Sequence, residues 1–319
     1  MSKINLTRGS NKDLLLDEVF KDFITYSNSK NLSEKTIEYY KINYDQFKSF
    51  IDDNSQSQDV TVEVLNQELV EAYRLKLLNQ GLATATINSY LRAIRSFLYY
   101  TMKFNYIEKF KVNLIRAEDK IKETYTNQEL SILLQKPNIE ECSFSEYRNW
   151  VIINWVLSTG NRSRTLRNIK IEDLDLQDGY VKLRKVKNRK QQIIPISKQM
   201  VMIITEYLQF RKGEDDHYLF CTQYGEKLSG EGLKSAIYRY NSRRGLSKTS
   251  IHLLRHTFAK LWIKNGGDIF RLQKILGHKN MEMVREYVNM FSEDLKEDFE
   301  KFNPINQFRS TNKDKIKID

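Results

Sequence analysis

Helix breakers are scarce in this chain: three prolines and twelve glycines in 319 residues leave little to stop a helix once it has begun. That argues for long, uninterrupted helices and against a loop-rich all-β protein. The apolar residues recur with helical period. Val19, Phe20, Phe23 and Ile24 form one stripe, and Ser33 can cap a second helix bearing Ile37, Tyr40, Tyr44, Phe47 and Ile51. A third segment runs from about Gln67 to Gly81, where glycine supplies a stop. A fourth, TATINSYLRAIRSFLYYTMK, turns Ile87, Tyr90, Leu91, Ile94, Phe97 and Leu98 to one side. Its other side carries Thr84, Asn88, Arg92, Arg95 and Lys103, a mixture of cations and short hydrogen-bonding groups suited to phosphates and base edges. An ordinary solvated face has the same composition.

Periodicity lapses between Lys111 and Lys122, where a charged linker is expected. Thr126 and Glu129 then make a TxxE capping box that opens a new helix with Leu130, Leu133 and Leu134. A strongly apolar helix through Trp150 and Trp155 ends at Gly160, with Arg162 close behind. The period then changes. LDLQDGYVKLRKVKNRKQQIIPI reads as three short strands, with turns at Asp178-Gly179 and near Asn188. The stretch from Lys182 to Lys190 holds six cations and no acid, either a solvated loop or one that tracks a phosphate backbone. Beyond Ser197 the chain is helical again. The expected fold is therefore mainly α with a small antiparallel β-sheet.

The charge balance, 52 Lys plus Arg against 41 Asp plus Glu for a formal +11, favours a polyanionic partner, nucleic acid before an acidic membrane surface. The longest apolar run, WVIINWVL, falls far short of a spanning helix, and no secretory signal opens the chain. Cys142 and Cys221 are then expected as thiols in a reducing, cytoplasmic compartment.

In IHLLRHTFAK, His252 and His256 stand one helical turn apart, a spacing that raises a metal site. Leu253 occupies the place where an HExxH metalloprotease needs its glutamate, and no third ligand is evident, so no metal is expected. Leu253, Leu254, Phe258, Leu261 and Trp262 instead suggest a core helix with polar residues on one side.

Order along the chain adds what no single motif supplies. TGNR, a lysine on a basic β-turn before a strand ending in proline, HLLR, LGH, and a tyrosine nine residues later follow one another. In this order the chain resembles the tyrosine recombinase, or phage integrase, family across almost its whole length. The resemblance implies a four-helix, SAM-like core-binding domain over residues 1–118 with a polar tail at 1–13, and a linker at 119–123. A catalytic domain over 124–303 and a disordered tail at 304–319 would complete the chain. No further arm-binding domain is expected before the first helix.

Carried over position by position, the resemblance implies a catalytic set of Arg162, Lys187, His252, Arg255, His278 and the nucleophile Tyr287. Lys185, Arg189 and Lys190 would join the α-helical candidates in binding DNA. Thr165 departs from the acid often found three residues after the first arginine, and Asn161 and Val284 are also unusual. The implied reaction makes a covalent 3′-phosphotyrosyl intermediate without metal, cofactor or ATP. Behind a Ser292 cap, Phe291, Leu295, Phe299 and Phe302 form an apolar stripe that would dock on a neighbouring protomer to build a homotetramer on paired double-stranded sites. An accessory DNA-bending or directionality protein is a further expected partner. The leading expectation is the integrase of a bacterial mobile element. A Xer-type dimer resolvase is the alternative within the family; a type IB topoisomerase or a regulator without catalysis are the alternatives beyond it.

Overall fold

The computed structural model describes residues 14–55, 59–116, 123–184, 191–277 and Met281. It divides into two units, residues 1–119 and 120–319. Among the described residues no helix is long and apolar enough to cross a membrane.

The first unit is built from α1 (Leu16–Ser29), α2 (Glu34–Asn54), α3 (Gln67–Asn79) and α4 (Thr84–Lys103). Ser33 and Asn66 cap α2 and α3 with their side chains, accepting from Thr36 N and Leu69 N. These bonds satisfy amides that no earlier turn can serve. The apolar stripes close on a core rich in aromatic rings. Phe20 stacks on Tyr44 at 3.6 Å between centroids and meets Phe97 edge-on at 5.3 Å. Residues beyond α4 fold back onto the unit. Val112 is buried, and Arg74 Nη2 donates to the carbonyl of Asn113 at 2.6 Å.

The second unit begins at α5 (Asn127–Leu134), where Thr126 and Glu129 form the full capping box. Its centre is α6 (Phe144–Thr159), in which Trp150, Val151, Ile152, Ile153, Trp155 and Val156 are all buried. A helix apolar on every side must be enclosed, and here α5, α8, α9 and α10 enclose it. After α7 (Ser163–Leu166) comes an antiparallel sheet of β1 (Leu174–Asp175), β2 (Tyr180–Leu183) and β3 (Gln192–Pro195), in that order. The register pairs Tyr180 with Pro195 and Leu183 with Gln192. Strand alternation sends Val181, Leu183 and Ile194 to the core and leaves Tyr180, Lys182 and Ile193 outside. The remaining helices are α8 (Lys198–Arg211), α9 (Gly230–Arg243), α10 (Ile251–Lys264) and α11 (Ile269–Leu276).

Candidate active site

The site is assembled around the end of α6. Gly160 closes that helix in the left-handed region at φ +62°, and its amide returns to the carbonyl of Val156. Only glycine fits there. A Cβ would lie 2.5 Å from Phe258 Cδ1 and 2.7 Å from Leu276 Cδ2, inside any tolerable contact. Asn161 is buried behind the turn, where its Oδ1 accepts the indole N–H of Trp155 at 3.1 Å. The next residue, Arg162, is the extended residue that starts α7, so its side chain leaves the junction half-buried.

A second cation arrives from α10. Ser250 caps this helix by accepting from His252 N. Arg255 is buried, 5% exposed. Its Nη1 donates to the carbonyl of Gly160, and its Nη2 donates to that of Leu276 at 2.9 Å. Arg162 Nη1 reaches the same Leu276 carbonyl at 3.0 Å. Leu276 ends α11, so its carbonyl has no partner within the helix and carries the partial negative charge of a helix C-terminus. That single oxygen seats both guanidiniums side by side.

His252, one turn before Arg255 on α10, senses the pair. Its imidazole is held below the ordinary histidine value by desolvation first, then by the charges of Arg255 and Arg162. It therefore favours the neutral form at neutral pH. His256 lies half-buried one turn further along. The helix itself is fastened to the start of the unit. Tyr125 N donates to Thr257 Oγ1 at 2.9 Å, and Lys248 Nζ donates to Glu129 and to the carbonyl of Thr124 at 3.0 and 3.1 Å. Thr165, where an acid is usual, is buried. Among the described residues, no group of three or more His, Cys, Asp or Glu side chains converges.

At the foot of the β2–β3 hairpin Arg184 Nε pairs with Asp173, which is 1% exposed and also accepts from Lys170 N at 2.9 Å. Lys187, with Lys185, Arg189 and Lys190, lies outside the described residues, as do His278, Tyr287 and the stripe of Phe291, Leu295, Phe299 and Phe302.

On α4 the candidates separate. Arg92 is exposed, Thr84 and Arg95 are half-buried, and Arg95 lies 6.0 Å from the Tyr99 ring centre. Lys103 donates to the Tyr26 hydroxyl at 2.9 Å and stands over that ring, lowering the tyrosine's pKa first by the hydrogen bond. Asn88 corrects the sequence reading. It is buried, 3% exposed, and its amide exchanges two 2.8 Å hydrogen bonds with the backbone of Ile115. A short amide on a helix face suits a base edge and a returning backbone equally well. Here the backbone takes it.

Sequence reasoning passed over the outer face of α9. With Leu233, Ala236, Ile237 and Tyr240 buried, Lys234, Ser235, Tyr238, Arg239, Ser242 and Arg243 are exposed together. The spacing of the apolar residues in EGLKSAIYRYNSRR carries that signal.

The Phage integrase family model matches residues 123–293, and the Phage integrase SAM-like domain model matches residues 15–121. The Tyrosine recombinase XerD of Staphylococcus epidermidis strain RP62A is 25% identical over 284 residues, covering 86% of this chain and 94% of its own. Among solved structures, the Tn1549 transposon integrase in complex with transposon right end DNA superposes with a TM-score of 0.68 at 18% identity, covering 91% of this chain and 99% of that one. A lambda integrase tetramer bound to a Holliday junction gives 0.68 at 18% identity, with coverage of 87% and 78%.

Proposed function

The chain belongs to the phage integrase family of tyrosine recombinases, enzymes that cleave and rejoin DNA, and from that premise we propose that it is a site-specific recombinase acting through a covalent 3′-phosphotyrosyl intermediate. The observation that carries the reading is the seating of Arg162 and Arg255 on one carbonyl, with His252 held below its ordinary value by desolvation and then by both cations. A scissile phosphodiester carries one negative charge, and its pentacoordinate transition state gathers more on the nonbridging oxygens. Two planar, permanently charged guanidiniums held beside each other meet that charge with fixed donors.

The remaining steps follow from proton bookkeeping. Tyr287 Oη attacks phosphorus and must lose a proton whose ordinary pKa is about 10. A neutral His252 can accept it. The P–O5′ bond breaks, and Lys187 supplies a proton to the departing 5′-oxygen while His278 donates a hydrogen bond to the phosphate. The new phosphotyrosyl bond conserves the energy of the broken one, so a 5′-hydroxyl from another strand reverses the step without ATP. Thr84, Arg92, Arg95 and Lys103 on α4, the exposed face of α9, and Lys185, Arg189 and Lys190 would contact the duplex. The stripe of Phe291, Leu295, Phe299 and Phe302 would join protomers into a tetramer, as lambda integrase forms on a Holliday junction. Truncation before Ser292 should then abolish assembly on paired sites while preserving single-site binding.

The role we favour is integration and excision of a bacterial mobile element. The near-complete match to a XerD chain favours dimer resolution as the second reading. A denaturing gel of the full chain with nicked duplexes tests both. The DNA panel covers sequences flanking the protein's own gene and chromosomal sequences from the replication terminus. A heat-stable adduct with wild type and none with Tyr287→Phe is expected, on the flanking DNA for the first role and on terminus DNA for the second. Arg162→Ala and Arg255→Ala should each slow adduct formation roughly 10²–10³-fold, the usual loss of one oxyanion donor. Near-normal rates in both would refute the assignment.

A further inference from the structure

Gln192 has no part in the chemistry just described, yet its side chain joins the sheet to the end of α11. It stands at the start of β3, opposite Leu183, at the foot of the hairpin. Its Nε2 leaves the sheet and donates to the carbonyl of Lys274 and, at 3.1 Å, to that of Ile275. The next carbonyl along, Leu276, is the one that receives Arg162 and Arg255. Three successive carbonyls at the end of α11 are therefore held by side chains from outside the helix, two of them by Gln192.

An eight-residue helix has little rigidity of its own, and beyond the Gly277 amide, which serves Gln273 and Lys274, its last turn lacks backbone donors. Where the Leu276 oxygen sits is set by whatever holds that turn. The close fit at Gly277 supports a built contact, since a Cβ there would come within 3.1 Å of Gln192 Oε1 and 3.6 Å of Arg162 Nη1. A neutral amide suits this position, because it brings two N–H donors to carbonyls without adding charge beside the guanidiniums.

We propose that Gln192 is a positioning residue for the phosphate clamp, fixing the end of α11 so that one carbonyl holds both arginines in register. This rests on the reading that Arg162 and Arg255 grip the scissile phosphate. Sequence offers no hint of it, because the partners are backbone atoms 82 and 83 residues away.

The test uses the full chain and a nicked duplex on which wild type forms its adduct. Gln192→Glu keeps the shape but replaces donors by acceptors; Gln192→Ala removes the contact. We expect the Glu and Ala variants to cleave roughly tenfold more slowly, the effect of about one or two neutral hydrogen bonds. DNA affinity should stay within about twofold. A methylphosphonate at the scissile position, which removes the charge the clamp meets, should narrow the gap between wild type and Gln192→Glu. Wild-type rates in both loss variants would overturn the proposal. So would an equal slowing on phosphodiester and methylphosphonate, the mark of a general folding defect. Absence of an adduct from wild type itself would instead remove the recombinase chemistry on which the proposal stands.

Discussion

Replacing Gly160 by alanine probes the geometry of the site at its tightest point. Two costs apply there, and the structure separates them. The backbone at φ +62° is a conformation that costs an L-residue about 1–2 kcal/mol. The new methyl would also meet Phe258 at 2.5 and 2.9 Å and Leu276 at 2.7 Å, and overpacking of that kind costs about 1–3 kcal/mol more. The sum is about 2–5 kcal/mol. In a unit of roughly 200 residues each kcal/mol lowers Tm by about 2–4 °C, so the expected fall is about 4–20 °C.

Gly245 supplies the control, because it has φ +74° and an added Cβ there would meet nothing within 4 Å. Gly245→Ala carries the strain alone and should lose only about 2–8 °C. Thermal unfolding of both variants beside wild type isolates the packing contribution as their difference. Cleavage should diverge as well. Relief of the clash must move Phe258 on α10 or Leu276 on α11, the helices that carry Arg255 and the shared carbonyl. Equal melting temperatures for the two variants would refute the packing argument, and equal cleavage rates would detach Gly160 from the site.

Three further outcomes are expected. Asn88→Ala should destabilise the first unit by about 1–3 kcal/mol, since the Ile115 backbone loses both partners. Arg92→Ala should leave Tm nearly unchanged while lowering the salt slope of DNA binding by about 1; the reverse assignment of effects would restore Asn88 as a DNA contact. Because desolvation and then Arg255 and Arg162 hold His252 below 6.5, the acid limb of the cleavage–pH profile should lie below that value. Arg162→Ala removes one cation and should move the limb upward, and a limb at or above 6.5 in wild type would exclude His252 as the base. Asp173→Ala should cost about 1–3 kcal/mol by leaving Lys170 N–H without its acceptor and Arg184 without its buried ion-pair partner. Glu172→Ala, whose carboxylate is itself 34% exposed against 1% for Asp173, should cost under about 1 kcal/mol; similar losses from both would refute the importance of the buried carboxylate.

The helices and their ends were legible in the sequence because their causes are local. A stripe such as Ile87, Leu91, Ile94 and Leu98 and a cap such as Ser33 or Thr126 with Glu129 act over three or four residues. The β1–β2 turn was legible for the same reason, through alternation and Asp178-Gly179. Arg162, His252 and Arg255 could be named from the order of their motifs, which requires no knowledge of where they meet.

Only the tertiary structure decided which polar residues spend their bonds on the chain itself. Asn88 and Arg92 are one turn apart on α4, and nothing in their letters says that the first answers Ile115, 27 residues on, while the second faces solvent. The clamp shows the limit most plainly. Arg162 and Arg255 lie 114 and 21 residues from the Leu276 carbonyl that seats them both. Every residue owns such an oxygen, so no side chain marks it. It becomes an acceptor for two guanidiniums only because α11 stops there, leaving that carbonyl unpaired within the helix at the point where Arg162 and Arg255 arrive.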